Sequence, residues 1–214
     1  MTDTQAGGHY VVLVDIVSSR NIQNRETFGE RLENALDYVN ETERESISTP
    51  FTQMKGIDEF GCVLTKMSPI PDVISGILDR IHPTYSRFAI ASGEIDVGAT
   101  RETVAEMDGP AFHRASALLE AVEESGLYVD VDTNNEADGL LANALNLLML
   151  ERENLTDRQV EVSLAYERCG TQSKAGEELG LRQQAVSKSL QQSNYMRRKK
   201  IRRDLRRSLE AVYE

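Results

Sequence analysis

Apolar and polar positions alternate along this chain in two rhythms. His9–Val17 (HYVVLVDIV) is an apolar, β-branched run broken by a single Asp, the pattern of a buried strand. The polar stretch Ser18–Asn24 reads as a loop. From Glu26 to Asn40 the apolar positions Phe28, Leu32, Ala35, Leu36 and Val39 recur at helical spacing. Phe51–Met54 and Phe60–Leu64 are short strands flanking a hairpin turn at Lys55–Glu59. Pro71–Ile81 repeats the helical pattern and must stop before Pro83. Arg87–Val97 (RFAIASGEIDV) reads as a long strand, Pro110–Ser125 as a third helix with Gly126 as its C-cap, and Leu127–Val131 as a short strand. Alternating strands and helices over residues 9–131 predict an α+β class. A polar loop, Asp132–Asp138, ends that domain, and a helix over Gly139–Glu153 links it to the rest.

Beyond Leu155 the pattern is helical throughout. Thr156 or Asp157 is placed to cap a helix over Arg158–Arg168, which Cys169-Gly170 ends. A short helix over Lys174–Leu179 follows, then a break at Gly180, then a helix from Arg182 or Gln183 to about Gln192. The segment TQSKAGEELGLRQQAVSKSLQQS resembles the helix-turn-helix motifs of bacterial and archaeal regulators through Ala175, Gly180, Leu181, Val186 and Leu190. The last stretch carries Ile201, Leu205, Leu209 and Val212 as one apolar stripe on an otherwise cationic helix. The division expected is 1–138 (α+β), 139–154 (linker helix) and 155–214 (all-α).

Charge sharpens that division. Residues 1–156 hold 11 basic and 27 acidic residues, whereas 157–214 hold 13 and 8, within a total of −11. An acidic body with a basic tail points to a polyanionic partner, double-stranded DNA. Arg182, Gln183 and Gln184 are the residue types that bridge base edges in the major groove. Gln172, Ser173 and Lys174 at the start of the preceding helix are further DNA-binding candidates, and Ser187 and Lys188 suit phosphates. So do Arg197, Arg198, Lys199, Lys200, Arg202 and Arg203 in the basic run, which repel one another unless counter-charge arrives. The alternative is a merely solvated polar helix. Of the 24 basic residues only six are Lys, a balance that also suits a high-salt cytoplasm.

Other classes recede. No run of eighteen apolar residues predicts a membrane span, and Met1–Gly8 lacks the features of a signal peptide, so a cytoplasmic location is expected. Cys62 and Cys169 fall in different segments, so no disulfide is expected, and with three His and no CxxC pair neither is a zinc site.

Two carboxylates in the first part carry chemistry. Asp15 interrupts the apolar strand and Asp58 sits in the hairpin turn. Brought to one edge they would offer Mg²⁺ two oxygen ligands beside a phosphate. A structural acid, paired with Lys55 or bonded to the Ser18–Arg20 backbone, is the competing reading for Asp15, and a plain turn residue is the one for Asp58.

The segments YVVLVDIVSSR (Tyr10–Arg20), KGIDEFGCVL (Lys55–Leu64), RFAIASGEI (Arg87–Ile95) and DGPAFHRASALL (Asp108–Leu119) resemble the SatD family, similar in layout to class III nucleotide cyclases and GGDEF-type cyclases. The resemblance covers about residues 9–131. It implies a ferredoxin-like palm with Asp15 and Asp58 at the metal-binding positions. Ser18 and Ser19 would lie near a triphosphate; in the alternative enzyme reading, Lys55 or Arg20 would clamp its phosphate. Ile57 stands where the GGDEF motif has a glycine, and His113 and Ala117 stand where cyclases carry Asn and Arg, although Arg114 is nearby. These departures point away from catalysis. The expectation is a dimeric, sequence-specific DNA-binding regulator whose palm senses a nucleotide or other small molecule, or mediates assembly. A metal-dependent nucleotide enzyme with a DNA anchor is the alternative.

Overall fold

The computed structural model describes residues 9–56, 58–98 and 101–214. Five strands form one sheet: β1 (Tyr10–Ile16), β2 (Ile47–Lys55), β3 (Glu59–Leu64), β4 (Ser86–Ser92) and β5 (Val129–Asp132), in the order β2-β3-β1-β4-β5. Each neighbouring pair among the first four is antiparallel, and β5 joins β4 in parallel.

The unalternating apolar run of β1 is explained by its central place. Tyr10, Val12, Val14 and Ile16 face one layer, made by α1 (Arg25–Thr42) and α2 (Ile70–Ile81). Val11 and Leu13 face the other, against α3 (Pro110–Ser125). A strand covered on both faces has no polar side to show. α1 begins where Asn24 accepts from the Thr27 amide at 3.0 Å. Gly126 ends α3 in the left-handed region (φ 71°).

Two strands differ in length from expectation. β2 starts at Ile47, four residues early. Its first part contains Pro50, which an edge strand tolerates because its amide would face outward, and the pairing with β3 is interrupted by bulges. β4 stops at Ser92. The following chain leaves the sheet to lie over the start of α3, where the Ala111 amide donates to Glu94 O at 3.2 Å. A Cβ on Gly93 would meet the Ala111 amide nitrogen at 3.1 Å, so glycine permits the approach.

α4 (Asp138–Arg152) does more than connect. Leu141, Ala142, Leu145 and Met149 are buried in the main core. Asn146 secures the end of β5, accepting from the Tyr128 and Val129 amides at 2.9 and 3.0 Å and donating to Val129 O at 2.8 Å. Asp138 accepts from Thr133 and Asn135, closing the loop before the helix.

Four helices complete the chain: α5 (Asp157–Cys169), α6 (Gln172–Leu179), α7 (Gln183–Gln192) and α8 (Tyr195–Tyr213). α5, α6 and α7 enclose a small core of their own, closed by Tyr195. α8 turns back to the body. Leu209 is buried in the main core, with Leu205 and Tyr213 packed against it. The expected stripe is therefore rotated: Leu205 and Leu209 pack, whereas Ile201 and Val212 are exposed. The inward positions between them belong to arginines.

Candidate nucleic-acid interface

The small helical core is built by local rules. Thr156 and Gln159 form a reciprocal capping box at the start of α5 (3.3 and 3.0 Å). Thr171 caps α6 by accepting from the Lys174 amide. Gly180, at φ 66°, ends α6 and turns the chain toward α7. The buried pair Ala175-Gly176 lets α7 approach. A Cβ on Gly176 would stand 2.6 Å from Leu181 O, while the Leu181 amide donates to Gly176 O at 2.7 Å. Val186 and Leu190 fix the inner face of α7, and Tyr195 meets Tyr166 edge-on at 5.6 Å.

With that face fixed, Arg182, Gln183, Gln184 and Lys188 are exposed on α7, and Ser187 is half-buried beside them. At the start of α6, Ser173 and Lys174 are exposed and Gln172 is half-buried. Among the described residues Lys174, Arg182 and Lys188 make no salt bridge. Gln172, Ser187, Gln191 and Arg197 line one shallow depression, so the base of α8 adjoins the exposed face of α7.

The basic run divides by helical phase. Arg197 and Lys199 point outward; Lys199 lies 5.9 Å from the Tyr195 ring centre. Lys200 and Arg203 are exposed near Asp204. Arg198 and Arg202 instead turn inward, with Arg206. Arg198 donates to Ser193 O at 3.0 Å and lies 3.7 Å from Glu151, and burial pushes its pKa down. Arg202 lies 3.7 Å from Glu167, 3.9 Å from Asp79 and 4.0 Å from Asp72. Arg206 donates to both oxygens of Glu43 at 2.8 and 2.9 Å and to Asp72 at 3.0 Å, and the Glu43 bond leads the causes that raise its pKa. Arg202 and Arg206, with Glu43, Asp72, Asp79 and Glu167, line a cleft of about 690 Å³ between α8 and the α1–α2 layer. The counter-charge that the run requires comes, for the three inward arginines, from the body. Sequence reasoning assigned Arg198 and Arg202 to phosphates and missed Glu43, Asp72, Asp79 and Glu167. The i, i+4, i+8 spacing of 198, 202 and 206 was the available signal that they share a face.

A second tie crosses the same seam. His82 Nε2 lies 2.9 Å from Asp157 Oδ1 at the start of α5. Burial, reinforced by Arg152, lowers the His82 pKa against the opposing pull of Asp157.

At the other candidate site, the hairpin does reach the end of β1, where the Ile16 amide donates to Asp58 O at 2.9 Å. The two carboxylates have separate partners. Asp15 accepts from Arg87 at 3.1 Å, which also holds Glu123 at 3.1 Å; Asp58 meets Arg25 at 3.3 Å. Burial raises the Asp15 pKa, and Arg87 only partly opposes it. Among the described residues no group of three or more His, Cys, Asp or Glu side chains is arranged to hold a metal. Ser18 is exposed in the left-handed region (φ 55°), and Ser19 and Arg20 lie in the single 3-10 turn after it. Ile57 and the Lys55 side chain fall outside the described residues. His113 pairs with Asp108 at 2.9 Å, and Arg114 donates to Ser92 O at 3.1 Å. No helix among the described residues is long and apolar enough to cross a membrane.

This α+β sheet with an integrated helical tail matches the SatD family model over residues 9–206, and the chain belongs to the SatD family. The match does not end at residue 131. It continues through α5, α6 and α7 into α8, so the helical tail is part of what the family model describes. No curated protein matches the chain.

Proposed function

We propose that this protein is a cytoplasmic, sequence-specific regulator that binds double-stranded DNA through a helix-turn-helix formed by α6 and α7. The observation that carries the proposal is the outer face of α7. Arg182, Gln183, Gln184 and Lys188 stand exposed, and the two cations have no salt bridge among the described residues, on a helix clamped against α6 by the Gly176–Leu181 contact. Arg and Gln near a helix N-terminus are the groups that bridge guanine and adenine edges in the major groove. Lys174, Arg197, Lys199, Lys200 and Arg203 are then the phosphate contacts, while Arg198 and Arg202 fasten the reading unit to its body. Reading two half-sites calls for a two-fold dimer.

The body is a ferredoxin-like, cyclase-like palm, a reading supported by the β2-β3-β1-β4 order with β1 at its centre. Asp15 and Asp58 each pair with an arginine that a metal would have to displace, which supports a non-catalytic role for the palm. The Ile16–Asp58 hydrogen bond favours a second reading in which a nucleotide or other small molecule with Mg²⁺ displaces those arginines, making the palm a sensor. Any movement of α1 or α2 would reach α7 through the carboxylates that hold α8.

Selection of bound duplexes from a random pool tests the proposal. A recurrent motif that relaxes at defined positions in Arg182→Ala or Gln183→Ala supports it. Recovery of duplexes without a shared motif would contradict it.

A further inference from the structure

α4 and α8 lie side by side and antiparallel, tied at both ends. Near the start of α4, Asn135 Nδ2 donates to Val212 O at 3.2 Å and the Tyr213 hydroxyl donates to Asp138 at 2.8 Å. Near its end, Glu151 lies 3.7 Å from Arg198. The face of α4 opposite its buried side is apolar and uncovered: Leu140 is 76% exposed, Leu147 68% and Leu150 44%. On α8, Ile201 and Val212 are 50% and 48% exposed. They are eleven positions apart, about three turns, and so share one line along the helix. Arg206, which reaches Glu43 and Asp72, lies on the other flank. The Ile201–Val212 line, which also carries the exposed Ser208, therefore lies on the flank of α8 away from Arg206, and with the leucines of α4 it gives two apolar strips on neighbouring helices.

We infer that this α4–α8 surface pairs with its copy in a second chain, making a homodimer about a two-fold axis. Three observations select that occupant. First, residues 139–150 (GLLANALNLLML) are twelve consecutive positions without a charge in a chain of net charge −11. Residues 1–156 hold 11 basic and 27 acidic residues and repel their copies, and the uncharged face of α4 is where two such acidic bodies meet without that cost. It also offers no complement to a strongly charged partner. Second, its extent is adequate. Two adjacent helices of about 15 residues make a face about 22 Å long and 20 Å wide, roughly 440 Å² in projection and more as corrugated accessible surface, the order of magnitude of interfaces that bury about 800 Å² per partner. Third, only Ser193 and Asn194 separate α8 from α7, so a two-fold axis through the α4–α8 face fixes the spacing of two α7 helices. This third point rests on the DNA-binding reading; the first two do not.

The test is the mass of the full chain by sedimentation equilibrium, with Leu147→Glu on α4 and Ile201→Glu on α8 as separate variants. Val97→Glu, an exposed apolar position near the start of α3, is the control. Twice the 23.9 kDa chain mass is expected for the native protein and the control. Monomers with native circular dichroism and unchanged melting cooperativity are expected for the two variants. A native protein that is monomeric across the micromolar range overturns the inference, and so does a dimer that survives both substitutions. A short duplex bearing one half-site separates this inference from the DNA-binding proposal. The Leu147→Glu variant, remote from the basic run, should still bind it within a few-fold of the native chain, whereas loss of half-site binding by the native chain and this variant alike counts against the DNA reading alone.

Discussion

The guanidinium of Arg206, near the end of the chain, grips both carboxylate oxygens of Glu43 in the first third, at 2.8 and 2.9 Å. That contact is one of a row in which Arg198, Arg202 and Arg206 face Glu151, Glu167, Asp79, Asp72 and Glu43. A run that looks like a phosphate-binding tail is in part the fastening of that tail to an acidic body. A bidentate Arg–carboxylate pair resists screening better than a surface pair does.

Breaking that pair should loosen α8. Glu43 is largely buried and Arg206 partly exposed, so Arg206→Ala is expected to cost about 1–3 kcal/mol, less than a fully buried pair would. Urea unfolding of the full chain measures it, and Arg206→Lys should recover only part, since Lys cannot grip both oxygens.

Acidification should weaken the seam at His82. Its folded pKa lies below the ordinary 6.5, so the unfolded chain takes up its proton first. The His82 contribution is therefore present above about pH 6.5 and declines as pH falls from there through the folded value. Unfolding free energies measured from pH 7.5 to 5 should show a component that His82→Gln removes.

Gly176 and Gly139 should respond oppositely to alanine. At Gly176 a Cβ would stand 2.6 Å from the Leu181 carbonyl oxygen, so Gly176→Ala must push α7 away and is expected to abolish DNA binding. At Gly139, in the first turn of α4, nothing lies within 4 Å. There Ala should stabilise by up to about 1 kcal/mol through helix propensity. Thermal melting with a DNA-binding titration distinguishes the two.

Magnesium should not support the folded state. Asp15 and Asp58 each hold an arginine, so chelation should leave both melting temperature and DNA affinity unchanged. A fall in melting temperature on chelation, restored by Mg²⁺, would instead favour the metal-bound sensor.

Much of the architecture was legible in periodicity. The β1 run, the amphipathic α1 and α2, and the Gly126 and Gly180 stops are local signals, and they emerge at nearly the expected residues. What was not legible depends on partners distant in sequence. Pro50 argues against a strand until the edge position of β2 is known. The departure of the chain at Gly93 depends on its packing against α3. α4 looks like a linker because its neighbours lie at β5 and α8, and the α8 stripe is misphased when only apolar residues are allowed to define the inner face. At the candidate interface, the outward set on α7 follows from Val186 and Leu190 alone. The inward turn of Arg198 and Arg202 required knowing that carboxylates of α2, α4 and α5 lie opposite.

Genome-wide DNA occupancy of the intact chain beside Gln183→Ala measures most directly whether α7 reads base sequence. Truncation at Leu155 is unsuitable, because Leu209 belongs to the main core. Discrete peaks that share an inverted-repeat motif, and that weaken or shift in base preference in the variant by the 1–3 kcal/mol typical of one base contact, are expected. Flat occupancy, or peaks identical in the two proteins, would contradict the assignment of α7 as the reading helix.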